Sequence, residues 1–373
     1  MSTDVSFINS TPPSINSSCS DFSQDINFCS ETPLKTTMDT ERIKRYRIYL
    51  GLDTSESTTE LSPQSLIEHQ CMNTNICYWE YLALIQKYYT FDKKPKKPSN
   101  IALCAFSTSF LKAVSGGDRY KSSDFTKYPS DKRKVLEAID TDLSRITNRL
   151  FFPKNSKYRN VYLLASLRRI CFIICYTEKG CLYRQGLIDL IIPLFTLLRV
   201  EDVEENPSVI PFFEPCVYQL GCFVYKIINQ FFYRQKASEL FGMVVYERLL
   251  KHIKPDLQQH LHEINIHPIY YAFEPIFTLC SRYFNDGDLF KLLDRVYNSP
   301  QFSFIHFFMI SVLLTKQSQI MTATDECEAM PFLTQFFPLE DFDSVFTTAA
   351  VLYEHNIDNY SSIVEQLNIE WSA

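Results

Sequence analysis

A chain of 373 residues, 46% of them hydrophobic, can bury a sizeable core as one large domain or two medium ones. A net charge of −6 and a pI near 5.7 argue against a nucleic-acid binder, which usually carries a basic balance. Eight glycines are too few for glycine-fingerprint nucleotide folds or turn-rich β architectures.

Residues 1–40 are rich in Ser, Thr, Asn and Asp, lack periodicity and predict a disordered tail. That tail reads either as a phosphorylation or docking segment or as an unselected terminus. It holds no apolar stretch of signal-peptide type. The twelve cysteines therefore read as reduced thiols of a soluble, cytoplasmic protein, not as a disulfide framework. Cys171, Cys175 and Cys181 fall in or beside one apolar helix, and Cys216 and Cys222 lie on another. No C-x-x-C pair occurs, so no metal site is expected. Apolar runs such as Phe302–Leu314 are shorter than the roughly twenty residues a bilayer span needs, so no transmembrane segment is expected.

From Glu41 the pattern turns helical. Arg42–Leu50 reads as a short opening helix stopped by Gly51. Tyr78–Tyr89 is amphipathic, with Trp79, Leu82, Ile85 and Tyr89 on one stripe. The basic, Pro-broken stretch Lys93–Pro98 reads as a solvated loop, with anionic lipid contact or an import signal as the alternatives. Ser115–Ser130 predicts a long loop, and Asp131 then leads into a helix through Leu136. Val161 to Cys175 and Leu187 to Phe195 carry helical apolar spacing, and Pro193 predicts a kink in the second. Val200–Pro211 reads as an acidic loop and a subdomain boundary. Helical patterns follow at Val217–Phe231, 240–252, 256–264, 269–284, 288–297 and 302–316, with a C-terminal helical extension over 341–373. No stretch alternates with period two over a strand length. The class is all-α, with connections too irregular for a repeat array.

Two short motifs about forty residues apart carry the chemistry: Ile139-x-x-Asp142-x-x-Arg145 and Tyr183-x-Gln185-Gly186. They supply one guanidinium and one primary amide, each on a segment read as loop. A guanidinium can spread positive charge over a transferring phosphoryl group through two prongs. A neutral amide cannot act as a strong base, but it can accept from water while donating to phosphate. Each residue also has a plain structural reading. Arg145 could be a solvated cation, Asp142 a local cap, Gln185 a cap for the helix near Leu187, Tyr183 core, and Gly186 a turn.

The order of these motifs and their surroundings resemble the TBC family of Rab GTPase-activating proteins. Leu167-Arg168-Arg169-Ile170 precedes a hydrophobic helix, then Tyr183-Arg184-Gln185-Gly186 and the Pro193-bearing apolar run follow. The resemblance continues through Leu257, Leu261, Pro268, Tyr271-Ala272-Phe273, Leu279, Ser281-Arg282-Tyr283-Phe284 and Asp294. Pro275 and Leu293 stand where the family usually has tryptophan, and Tyr46 does so before Gly51. Lys291 replaces an arginine, Leu182 a glycine, and Leu187-Ile188 the common Met-Asn. The resemblance implies a two-subdomain helical TBC domain over 41–340 that accelerates GTP hydrolysis by a Rab-family small GTPase in its GTP-bound state.

In that implied role Arg145 and Gln185 are the catalytic fingers, supported by Ile139, Asp142, Tyr183 and Gly186. The chain needs no cofactor, since GTP and magnesium are held by the partner. Vesicle trafficking, transient recruitment to endomembranes and peripheral membrane association only through the Rab are implied with it. The rivals are a catalytically weak Rab-binding scaffold and another helical interaction protein. His260, His262 and His267 read as structural or surface histidines. Neither a G-x-S-x-G elbow nor a phosphate loop occurs, so the chain itself should not bind nucleotide.

Overall fold

The computed structural model describes residues 129–146, 164–177, 183–196, 210–284 and 286–372, with single positions at 42, 45, 46, 81, 84, 85, 87 and 88. The expected polar tail over 1–40 and the loops at 93–98 and 115–128 lie outside the described residues. Met38–Ala373 forms one compact unit.

After the single helical positions between 42 and 88 come α1 (Ser130–Ile146), α2 (Leu164–Thr177), α3 (Leu187–Thr196) and α4 (Ile210–Ile227). Asp131 in the first turn of α1 complements the helix dipole, and Arg145 does so in the last. The helix buries Leu136, Ile139 and Leu143, spaced three and four apart on one face. That stripe carries α1 past Leu136 to Ile146, so Arg145 sits on the helix's last turn and not after it. α3 is buried from Leu187 through Phe195 and runs on past Pro193 to Thr196. A helix apolar all round belongs inside, and α3 packs against α2 and α4. α4 opens at Ile210, so Pro211 lies in its first turn and not in the expected loop. Proline fits there because the first N–H groups of a helix have no intrahelical partner anyway.

A buried ionic knot joins this group. Arg169 of α2 donates to Glu214 of α4 at 2.8 and 2.7 Å. Tyr81 and Ser166 each donate to the same carboxylate at 2.7 Å. Arg168 pairs with Asp140 of α1 at 2.8 Å, fixing α1 against α2.

α4 widens into one π turn at Ile228–Phe232, then a two-residue hairpin follows, β1 (Gln235–Lys236) antiparallel to β2 (Glu239–Leu240). Beyond it run α5 (Phe241–Ile253), α6 (Pro255–Glu263), α7 (Phe273–Phe277), α8 (Asp286–Tyr297) and α9 (Phe304–Leu314). The chain ends with α10 (Gln317–Thr322), α11 (Glu326–Thr334) and α12 (Phe342–Ser372). α9 is buried from Phe304 to Leu313 and packs along α12, which also meets α5. Each large apolar side chain among them contributes roughly 1.5–3 kcal/mol by leaving water.

The helix expected over 269–284 is broken. Pro268–Tyr270 forms a 3-10 turn, α7 is short, and Leu279 and Cys280 adopt φ values of 50° and 57°. Pro275 accounts for part of this. Inside a continuous helix its ring would clash with the carbonyl of Tyr271, so the helix restarts just before it. The left-handed pair then ends α7, and Cys280 N–H donates to the Pro275 carbonyl at 2.7 Å.

The described opening residues pack on the second half. Tyr46 is buried edge-on against Tyr297 of α8, with ring centroids 4.7 Å apart. Arg42 and Arg45 both reach Asp294 on the same helix. Among the described residues no helix is long and apolar enough to cross a membrane.

Candidate functional site

α1 presents Ile139, Asp142 and Arg145 one turn apart, and their fates differ. Ile139 is buried in the core, Asp142 is 8% exposed, and the Arg145 side chain is 58% exposed. Arg145 leans back on Asp142 through one loose contact, Nη1 to Oδ1 at 3.4 Å. The other carboxylate oxygen of Asp142 accepts from the Tyr183 hydroxyl at 2.6 Å. One carboxylate thus joins the two motifs across 41 residues of sequence. Burial, reinforced by Cys171 and Asp142, holds the pKa of Tyr183 far above its ordinary value, so the hydroxyl remains a donor.

Two residues past Tyr183, Gln185 is exposed and makes no side-chain hydrogen bond among the described residues. The helix start is served by Gly186, whose carbonyl accepts from Asp189 N–H at 3.0 Å and Leu190 N–H at 3.3 Å. Gln185 is therefore free of the capping role open to it from sequence. Gly186 has φ +99°, a conformation that strains any other residue, and an added Cβ would meet Thr278 Cγ2 at 3.3 Å. The backbone angle favours glycine here, and the Thr278 methyl leaves only tight room for a side chain.

The turn carrying Gln185 is pinned from the second half of the chain. Arg184 lies over the Tyr233 ring at 4.3 Å and donates Nε to Asn229 at 3.3 Å. Asp189, in the first turn of α3, accepts from Arg282 at 2.6 Å. Arg282 also pairs with Glu274, whose second oxygen accepts from the Tyr283 hydroxyl at 2.6 Å. Burial works against the charge on Arg282, but its bonds to Asp189 and Glu274 outweigh that and hold its pKa above the ordinary range. Sequence reasoning about the site missed Arg184, Asp189 and Glu274. A signal for Asp189 was present, because it is the one charge in the apolar run Leu187–Leu194 and so demanded a partner.

Open clefts of about 350 and 220 Å³ lie elsewhere, the first by Arg248, Lys251 and Ser362 and the second by Glu247, His262 and Tyr271. His260 bonds to the Ile320 carbonyl and His267 caps the turn at Ile269. No group of three or more His, Cys, Asp or Glu among the described residues could hold a metal ion.

A sequence profile of the Rab-GTPase-TBC domain matches residues 78–321, well over half the chain. The chain belongs to that family. Among solved structures it is similar to the Ypt/Rab-GAP domain of Gyp1p, with 18% identity, a TM-score of 0.49, and coverage of 84% of this chain and 97% of that one. It is also similar to the Chlamydomonas flagellar RabGAP TBC domain, with 14% identity, a TM-score of 0.41, and coverage of 78% and 96%. Comparison with curated protein sequences returns no match. Of the features the family usually shows, Tyr46 and Leu293 fill their tryptophan positions as fully buried side chains, and Lys291 pairs with Asp343 of α12.

Proposed function

We propose that this TBC domain accelerates GTP hydrolysis by a GTP-loaded Rab-class GTPase, supplying Arg145 and Gln185 to the partner's active site. The observation that carries the reading is the Asp142 carboxylate, which ties the Arg145 helix to the Tyr183–Gly186 turn while leaving Arg145 and Gln185 exposed. A group meant for a partner's site must be positioned from behind and open in front.

Arg145 would neutralise charge that develops on the transferring phosphoryl oxygens. A finger of this kind is worth 10³ to 10⁵ in rate, or roughly 4 to 7 kcal/mol. Gln185 would orient the attacking water by accepting from it while donating to phosphate. Asp142 and Tyr183 hold the two fingers from below, Ile139 anchors the face of α1, and Gly186 sets the turn. GTP and magnesium belong to the partner. This chain would reach endomembranes, and act in vesicle transport, through the Rab.

Single-turnover phosphate release across a panel of GTP-loaded Rabs, with binding measured in parallel, tests the activity. The glutamine has its own test. If Gln185 aims the water, a Rab whose own switch glutamine is replaced by alanine is still accelerated, and Gln185→Ala abolishes most acceleration of the unaltered Rab. Full activity of Gln185→Ala, beside a switch-mutant Rab that binds but resists hydrolysis, would leave Arg145 as the sole finger. Binding without acceleration across the panel would mark a scaffold.

A further inference from the structure

We infer that Arg184 is a positioning residue for Gln185, held by a stack on Tyr233 and a hydrogen bond to Asn229 so that the turn presents the amide in one place. The inference rests on the catalytic reading of Gln185.

Because the Gln185 side chain is exposed and unbonded among the described residues, its placement depends on its backbone. That backbone is gripped at three neighbouring residues by three different elements. Tyr183 bonds to Asp142 on α1. Arg184 sits 4.3 Å over Tyr233 and 3.3 Å from the Asn229 oxygen. Gly186 abuts Thr278, just past α7. The turn itself is closed by Leu187 N–H donating to the Arg184 carbonyl at 3.1 Å. The Arg184 side chain ties that closed turn to Asn229 and Tyr233 in the second half of the chain.

Arg184 is also not an ordinary surface cation. It is half-buried, and its partners are an aromatic face, whose quadrupole attracts the cation, and a neutral amide. Its two partners are presented by the π turn, closed by Tyr233 N–H donating to the Ile228 carbonyl at 3.0 Å. Asn229 and Tyr233, four residues apart, lie on one face of that turn and meet the same guanidinium.

The experiment is a double-mutant cycle in single-turnover hydrolysis, using the GTP-loaded Rab that the unaltered chain accelerates most. Arg184→Ala and Tyr233→Leu are each expected to lower kcat about ten- to thirtyfold, the scale of a sub-ångström to 1 Å misplacement. KM and the thermal midpoint should move little. Tyr233→Phe keeps the ring and should retain full kcat, and Arg184→Lys, which keeps a cation over the ring, should recover part of the loss. In a Gln185→Ala background, Arg184→Ala should add less than about twofold. An equal loss in both backgrounds, a loss confined to KM, or unchanged kcat in Arg184→Ala would overturn the inference. A fully active Gln185→Ala chain would instead remove the catalytic reading of the glutamine, a result visible before any Arg184 variant is made.

Discussion

Two arginines in this molecule are served by the same kinds of group and end in opposite states. Arg169 meets a carboxylate, Glu214, that also accepts from the Tyr81 hydroxyl, and its side chain is 2% exposed. Arg145 meets a carboxylate, Asp142, that also accepts from the Tyr183 hydroxyl, yet its side chain is 58% exposed. Arg169 makes short, two-pronged contacts and has Ser166 beside it. Arg145 touches its carboxylate once, at 3.4 Å, and has no other partner among the described residues. A guanidinium has five N–H donors, so the first arginine is spent on the fold and the second keeps most of its donors for something outside. Arginine, carboxylate and tyrosine do not by themselves make a functional site. Unused hydrogen-bonding capacity at the surface distinguishes one set from the other.

That contrast breaks most sharply by removing each arginine system in turn. Arg145→Ala should lower turnover by about 10³ while Rab binding and the thermal midpoint stay nearly intact, because its charge matters chiefly in the transition state. Arg145→Lys should rescue little, since an ammonium has no two-pronged contact to offer. Near-normal phosphate release by Arg145→Ala would return this arginine to the solvated class. Glu214→Ala should do the reverse. It strands a buried guanidinium at a cost of about 3–5 kcal/mol, seen as a fall in urea midpoint, with activity lost only in proportion to unfolding. Replacing both members by apolar residues, as in Arg169→Met with Glu214→Leu, should recover much of that loss.

The resemblance to the TBC motifs singled out Arg145, Asp142, Tyr183 and Gln185 in the sequence. The link between them, Asp142 to Tyr183 at 2.6 Å, is a tertiary contact that no local pattern encodes. Apolar residues three and four apart located α3 and α5. The reading failed over 269–284, where the same periodicity persists but Pro275 and the left-handed Leu279 and Cys280 interrupt it. Helical spacing of apolar residues reports which side chains are buried, and irregular turns can bury them equally well. The ties from the second half to the glutamine turn, Arg184 to Tyr233 and Asp189 to Arg282, were illegible because each joins residues tens of positions apart.

A buried base sharpens the comparison between spent and available groups. His306 on α9 is fully buried, with Nε2 at 3.0 Å from the Gly242 carbonyl, its ring stacked on Phe232, and Nδ1 at 3.5 Å from the Tyr360 hydroxyl. Burial lowers its pKa from 6.5 to about 4, outweighing its backbone hydrogen bonds to Gly242 and Ser303, which support the charged form. The unfolded chain therefore binds this proton more readily than the folded one. Stability from His306 is fully present above pH 6.5 and is lost as pH falls towards 4, by roughly 2 kcal/mol at pH 5. Urea midpoints at pH 7 and pH 5 check this. His306→Gln should be less stable at pH 7 but should show a flatter dependence, and an equally steep one would place the acid sensitivity elsewhere.

The smallest effect probes the available arginine directly. Tyr183→Phe removes one oxygen and leaves the ring packed against the core. If Tyr183 is plain core, phenylalanine serves as well and turnover stays put. If the hydroxyl fixes Asp142, its loss leaves a carboxylate oxygen on a residue only 8% exposed without its short bond. A bond to a charged group contributes about 1.5–3 kcal/mol, part of which water would replace here, so the thermal midpoint should fall by a few degrees. The carboxylate would then be free to rotate, and Arg145, held at 3.4 Å by its other oxygen, would lose its reference point. We expect kcat to drop roughly three- to tenfold with KM almost unchanged, because a loosened finger still reaches the site but spends less time aligned in it. Asp142→Asn should resemble it, keeping the shape while weakening both contacts. The decisive reading is the pair Tyr183→Phe and Arg145→Ala combined. If Tyr183 acts through Asp142 on Arg145, the double variant is no slower than Arg145→Ala alone. A further loss equal to the single effect would assign the hydroxyl to the glutamine turn instead.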